Sequence, residues 1–363
     1  MKILIAQDYL RSGGTERQSI LLANAFAAAG HTVTLLTFRP GGPLAPTVAR
    51  AVTLSSLQPF DTHLDWFAPG LSVYLGKHPP DIALCMGRMA NCYGQSFVRQ
   101  LRVRSPHSVV IATMRTGKKL PRLFRSSLRQ VHHIIANSRA AQQVLAHDHH
   151  LPVEKISVIH NSLIFPSSLS APLSDRAQLR SQHHVDDTTT VLLDVAMFRP
   201  EKNQRELVEI AAGLPADFPW QLWLAGDGPA LGACRQRAQQ LEVADRVKFF
   251  GHQRDPAALY AAADVAVHAS RSESLSNFLI EAQAHGLPAV AYAAQGIDEC
   301  MVVGDTGVAI AFDDQSAFRR AIQHFAQPDA ARRARTQAFA RTTFDPARQV
   351  QAYLDLFHRS VKP

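Results

Sequence analysis

Residues 262–290 read AADVAVHASRSESLSNFLIEAQAHGLPAV. The run Val265 to His268 is apolar and too short for a helix, so it reads as a buried strand. A turn crowded with serines follows and holds Glu273. From about Asn277 the apolar positions take helical spacing through His285, and Gly286 with Pro288 just beyond it marks the stop. Another apolar run, Ala289 to Ala291, comes next. Strand, loop, helix and strand in this order are the repeating unit of a parallel α/β sheet.

Working outward from this stretch, the same alternation fills the rest of the chain. Toward the amino terminus, apolar runs lie at Val191 to Ala196, Gln221 to Ala225 and Val247 to Phe250, and Val308 to Ile310 follows on the other side. An earlier series runs through Lys2 to Ala6, Thr32 to Thr37, Ile82 to Cys85, Val109 to Thr113, His133 to Ala136 and Ile156 to Ile159. In it, Ser12-Gly13-Gly14-Thr15 forms a glycine turn between the first strand and a helix ending at Gly30. A polar, Ser/Pro-rich stretch from Pro166 separates the two series. The expected organisation is a Rossmann-like domain over 1–165, a linker over 166–188, and a second Rossmann-like domain over 189–345. A last helix, in 346–363, is free to cross back to the first domain. Two facing domains of this kind enclose an interdomain cleft, and open α/β sheets bind ligands beyond the carboxyl ends of their strands.

Composition agrees with two globular cores: 363 residues, 46% hydrophobic and 19% charged, with the apolar residues in short interrupted runs. The segment MKILIAQDYL is too short for a signal-peptide apolar region and lacks a small-residue cleavage site, so a cytoplasmic location is expected. The cysteines Cys85, Cys92, Cys234 and Cys300 show no metal-ligand or disulfide spacing. The net charge of +8 calls for an anionic partner. Between Asp81 and Asp148 there is no acidic residue and there are eleven Lys or Arg. Within that stretch, residues 118–131 place Leu120, Phe124, Leu128 and Val131 on one helical side and Arg122, Arg125 and Arg129 on another. This is the pattern of an interfacial helix on an anionic membrane, and equally that of a surface helix packed on a core.

The chemistry points back to 262–290. A helix beginning near Asn277 presents unpaired N–H groups from about Leu275 to Phe278 and the positive end of its dipole, which suits a phosphate. Glu281, one turn inside, can accept hydrogen bonds from ribose hydroxyls, and Glu273 would face the sugar side. Two glutamates at this separation also arise on an ordinary loop and helix. The segment VAMFRPEKN (195–203) adds Arg199 and Lys202 at the end of a strand where a helix opens at Pro200. A lysine there is unfavourable beside the dipole unless an anion is bound.

The stretch around Glu273 and Glu281, with Ala282, Gly286, Pro288 and Val290 after it, resembles the E-x7-E region of retaining GT-B glycosyltransferases, glycosyltransferase family 4 (group 1). The likeness extends to VAMFRPEKN, to Gly226-Asp227-Gly228-Pro229, to Phe249-Phe250-Gly251, to Ala136-Asn137-Ser138 and to the Gly13-Gly14 turn. It implies a GT-B fold and transfer, with retention, from a nucleoside-diphosphate sugar to a glycan or lipid-linked acceptor of cell-surface polysaccharide or lipopolysaccharide synthesis. The resemblance implies Glu273, Arg199 and Lys202 as catalytic residues. It places Gly13, Gly14, Arg199, Lys202, Gly251, Leu275, Ser276, Asn277 and Glu281 at the donor. Relatives carry Arg where this chain has Met197, and many carry His near Arg115, which leaves Arg115 as the acceptor-side candidate. With no Asp-x-Asp pair in the chain, the expectation is metal-independent transfer with no cofactor besides the donor.

Rival readings are a nucleotide-sugar epimerase on the same fold and a basic protein that binds nucleic acid or membrane without transfer. No RNP-type aromatic element or basic zipper accompanies the charge, so a nucleic-acid partner is not expected.

Overall fold

A computed structural model describes residues 1–163 and 173–361. The chain divides into two compact units, Met1–Ile164 with Pro346–Pro363, and Phe165–Asp345.

The first unit holds seven strands: β1 (Lys2–Gln7), β2 (Thr32–Thr37), β3 (Thr53–Ser56), β4 (Ile82–Cys85), β5 (Val109–Met114), β6 (His133–Ala136) and β7 (Ile156–Val158). They form one parallel sheet in the order β3-β2-β1-β4-β5-β6-β7. Alternate residues of a strand feed opposite faces. Leu4 and Ala6 of β1 enter one core, Ile3 and Ile5 the other, and helices cover both, as a parallel sheet requires. The strand β3 was not legible in the sequence. It is a mostly exposed edge strand reading TLSS, so burial on two faces never imposed an apolar run on it.

The second unit repeats the plan with β8 (Thr190–Val195), β9 (Trp220–Ala225), β10 (Val247–Gly251), β11 (Val265–His268), β12 (Ala289–Tyr292) and β13 (Gly307–Ile310). All pair in parallel, in the order β10-β9-β8-β11-β12-β13. The α/β fold class read from the sequence is therefore observed. In each unit the chain winds outward on one side of its first strand and then on the other. The reversal falls between β1 and β4 in the first unit and between β8 and β11 in the second. Ligands of open α/β sheets bind at such a point, beyond the carboxyl ends.

One segment differs from the sequence reading. Part of the expected linker, 166–172, lies outside the described residues, but Leu173–Gln182 is a helix fixed to the second unit. Arg176 reaches Asp264 at 2.7 Å and the carbonyls of Ala261 and Ala263. Arg180 reaches Asp264 at 3.0 Å and the carbonyls of Ala262, Asp186 and Thr189. Two arginines spent on strand ends make this stretch part of a domain, although its polar composition reads as linker. The last helix, Pro346–Ser360, belongs to the first unit. Its Phe357 and Tyr353 pack on Phe26 with ring centroids 5.5 and 6.1 Å apart. Each fully buried aromatic contributes roughly 2–3 kcal/mol of apolar transfer. Gln349 adds hydrogen bonds to Gln18, Ser162 and the carbonyl of His160.

The segment 118–131 forms a helix over Arg122–Gln130. Leu120, Phe124, Leu128 and Val131 are buried in the first unit's core. The apolar stripe that prompted the membrane reading is thus already covered, and insertion through it is ruled out. What the segment shows to solvent is Arg122, Arg125, Arg129 and Leu123, which is 67% exposed. Among the described residues, no helix is long and apolar enough to cross a membrane.

Candidate functional site

The two central strands of the second unit bring together residues far apart in sequence. Strand β8 carries Asp194, a lone charge in the apolar run TVLLDV and only 1% exposed. After β8 the backbone passes through Ala196–Arg199 into a short 3-10 turn, Pro200–Lys202, then through Asn203 in the left-handed region (φ 57°) into the helix Gln204–Ala212. Lys202 therefore sits in a tight turn ahead of the helix rather than in its first turn. The glycine turn after β9 braces this passage. Phe198 N donates to Asp227 O at 2.9 Å and Ala230 N to Phe198 O at 3.1 Å. A Cβ on Gly226 would lie 2.0 Å from Ala196 O, and one on Gly228 2.4 Å from Phe198 O. With φ of 141° and 148°, both positions demand glycine. Gly226-Asp227-Gly228-Pro229 is thus the support of the Lys202 loop.

Strand β11 ends at His268, and the serine-rich loop after it is tied to the same 3-10 turn: Arg271 N and Ser270 Oγ both donate to Glu201 O, at 2.9 and 3.2 Å. This closure sets Glu273 against Lys202, Nζ to Oε1 at 2.5 Å. His268 Nε2 lies 2.8 Å from the same oxygen, and its Nδ1 2.8 Å from Asp194 Oδ1. A line of alternating charges results, Asp194, His268, Glu273 and Lys202, of which only Lys202 is appreciably exposed. Burial pushes the Glu273 carboxyl up, but Lys202 and His268 outweigh it and hold it down to about 2. Burial pushes the His268 imidazole down, and Asp194 and Glu273 overcome this and hold it above its ordinary value. Glu273 Oε2 has no hydrogen-bond partner among the described residues.

The next helix, Asn277–Ala284, starts at Ser276, whose hydroxyl accepts from Leu279 N as a cap. Leu275 and Ser276 are buried and Asn277 is half-buried. Glu281, half-buried one turn inside, accepts from the Tyr260 hydroxyl at 2.8 Å, and the Tyr260 ring stacks on His285 at 4.8 Å. Gly251 ends β10 at φ 65°, where the register with β9 shifts. Glu273, Lys202, Glu281, Gly251 and the 275–277 segment thus belong to one unit. Arg199 is exposed, and its Nε donates to Met197 Sδ at 2.9 Å.

Three candidates lie in the first unit. Gly13 is the residue before the helix Gly14–Ala28. A Cβ on it would come within 2.4 Å of Glu16 Oε2, so its small size seats a side chain of its own helix. Arg115 donates to Asn161 Oδ1 at 2.5 Å and to the Tyr353 hydroxyl at 3.3 Å, which engages it in joining the last helix to its unit. At the reversal point of this sheet stands Asp8, just past β1. It accepts from Met89 N and Ala90 N at 3.0 and 2.8 Å. Burial raises its carboxyl to about 6 against these two bonds.

Asp194, His268 and Asp8 were missed in the sequence. The available signals were a single carboxylate inside an apolar strand and a histidine at a strand's last position.

Two family profiles match the chain: the one described as "Glycosyltransferase Family 4" over residues 12–163 and "Glycosyl transferases group 1" over 175–342. The N-acetyl-alpha-D-glucosaminyl L-malate synthase of Bacillus anthracis is 28% identical over 207 residues, 56% of this chain and 53% of that protein. The lipopolysaccharide core biosynthesis glycosyltransferase LpsE of Rhizobium meliloti is 35% identical over 133 residues, 37% of this chain and 38% of that protein. The matched stretch thus spans about half or less of these curated relatives. Among solved structures, Anabaena HepE in complex with UDP superposes with a TM-score of 0.82 at 22% identity, covering 99% of this chain and 100% of that one. This likeness shows the GT-B fold. With its two halves matched in turn by the two profiles, the chain belongs to glycosyltransferase family 4, the group 1 glycosyl transferases.

Proposed function

We propose that this protein is a retaining, metal-independent glycosyltransferase that moves a sugar from a nucleoside-diphosphate donor to a glycan or lipid-linked acceptor of cell-surface polysaccharide or lipopolysaccharide synthesis. The observation that carries this reading is the cluster at the reversal point of the second sheet. There Lys202, an ionised Glu273 and a capped helix start bearing Glu281 stand beyond the carboxyl ends of β8 and β11. Solved HepE holds UDP in one crystal and UDP-glucose in another, which favours a uridine donor.

In this reading the donor's diphosphate lies at Lys202, Arg199 and the backbone N–H groups at 275–277, whose charges neutralise the leaving group as it develops. Protein cations fill the place a divalent ion takes elsewhere. The bond from the anomeric carbon to the phosphate oxygen breaks, and its electron pair leaves with the nucleoside diphosphate. The acceptor oxygen bonds the same carbon on the same face, and its proton passes to the departing phosphate oxygen. Glu273 Oε2 takes hydrogen bonds from the sugar and stabilises positive charge on it. A carboxyl held to about 2 is too weak a base to deprotonate an acceptor at neutral pH. Glu281 accepts from the ribose, and Gly251 borders the base. Arg115, Gly13 and Gly14 are assigned to the acceptor side and the approaching donor. The cation-rich stretch 82–147 draws the enzyme to the cytoplasmic face of an anionic membrane, where lipid-linked acceptors reside.

The test is proton NMR of the sugar released on slow hydrolysis of an α-linked UDP-sugar with EDTA present. The α anomer appears first if transfer retains configuration. Early β anomer, or no release without added metal, contradicts the reading.

A further inference from the structure

A histidine with both ring nitrogens against carboxylates is constrained by proton count alone. Ionised carboxylates only accept hydrogen bonds, and a neutral imidazole has one N–H to give. His268 lies 2.8 Å from Asp194 Oδ1 on one side and 2.8 Å from Glu273 Oε1 on the other. Either both nitrogens are protonated, or a carboxyl carries the second proton. The surrounding charges decide. Asp194 and Glu273 face Lys202 and His268, and the buried group is neutral only with an imidazolium at its centre. Phe278 from the following helix lies against the ring at 5.4 Å, burial raises the thiols of Cys234 and Cys300, and the further charges near those thiols are Arg205, Asp298 and Glu299.

Asp194 strengthens this reading. It is 1% exposed in an apolar strand, its single hydrogen bond goes to His268, and its Oδ2 has no partner. A buried carboxylate of that kind is costly unless paired with a charge, and the imidazole is the cation within reach. Lys202 and His268 meet the same oxygen of Glu273, so Oε1 is anchored at two points and Oε2 has no hydrogen-bond partner among the described residues.

We propose that His268 is a positioning residue for Glu273: held as the imidazolium by Asp194, it fixes the rotation of the Glu273 carboxylate so that Oε2 is the oxygen presented to the donor sugar. This rests on the assignment of Glu273 to the sugar made above. Misplacing a group at a reacting centre by about 1 Å costs on the order of 100-fold, and here the loss falls on kcat because the phosphate contacts are untouched.

The test has two readouts on the full chain. In 15N-histidine-labelled protein, the His268 side-chain signals are assigned by their loss in His268→Gln. Both nitrogens are expected at protonated shifts and unchanged from pH 6 to pH 8. One unprotonated nitrogen at pH 7 overturns the proposal. In UDP-sugar hydrolysis, His268→Gln is expected to lower kcat by up to about 100-fold with KM within about twofold and UDP affinity unchanged. Should His268→Gln misfold, Asp194→Asn/His268→Gln removes one charge of each sign, and its melting temperature and kcat are measured in its place. A folded variant with wild-type kcat overturns the positioning role. A wild type that turns over no donor is the failure of the glycosyltransferase reading, told apart because the NMR result stands independently of it.

Discussion

Asp8 and Glu273 occupy corresponding places, the first half-buried and the second buried, each beyond the carboxyl ends of the two strands where its sheet reverses direction. Their surroundings differ. Asp8 accepts from the backbone N–H groups of Met89 and Ala90 and feels Asp65 and Arg11 more weakly in opposite senses, and burial wins, raising its carboxyl to about 6. Glu273 meets Lys202 and His268, and the cations win, holding it near 2. Burial pushes both in one direction, and cationic groups bonded directly to the carboxylate decide the sign. The first unit thus keeps a carboxyl that changes charge near neutrality, whereas the second keeps one that stays ionised throughout the physiological range.

The sharpest way to break this contrast is Glu273→Gln. It removes the anion that Lys202 and His268 share, and donor turnover is expected to fall about 10²- to 10³-fold, read by release of the nucleoside diphosphate. A variant within about threefold of wild type would remove Glu273 from the chemistry.

A smaller effect comes from the turn that holds the Lys202 loop. Gly226→Ala places a Cβ against Ala196 O in a backbone conformation that side chains avoid. It is expected to cost about 1–3 kcal/mol of stability, read from urea unfolding of the whole chain. Unchanged stability would mean that the turn adapts and does not brace the loop.

The mildest change concerns Asp8. A carboxyl raised from 3.8 to about 6 binds its proton more tightly in the folded state, so its stabilising contribution is complete below pH 3.8 and fades as pH rises through 6. Wild type relative to Asp8→Asn should gain about 1–3 kcal/mol between pH 7 and pH 4, measured by denaturant titration at each pH. A gap that stays constant with pH would show that Asp8 does not titrate in that window.

Most of the fold was legible because strands buried on both faces announce themselves as apolar runs. Twelve of the thirteen strands among the described residues lay where such runs stand, and the exception, β3, is an exposed edge. The site was legible where backbone punctuation marks it: the serine turn, the helix start at Ser276 and Asn277, and Gly286 at its end. What escaped were partners brought together only by strand neighbourhood. Asp194 and His268 are 74 residues apart, and neither stands in a local pattern. The helix at 122–130 misled for a related reason, since an amphipathic pattern reports a face that is covered without telling whether core or lipid covers it.

The central claim is that the reversal point of the second sheet binds and activates a nucleotide sugar. The most direct measurement is binding and hydrolysis of UDP-, GDP- and ADP-sugars by wild type and by Glu281→Ala, with EDTA present. The account predicts slow release of nucleoside diphosphate from one of these donors, indifferent to EDTA and lost with Glu281. Failure of wild type to bind any of the three donors would contradict it.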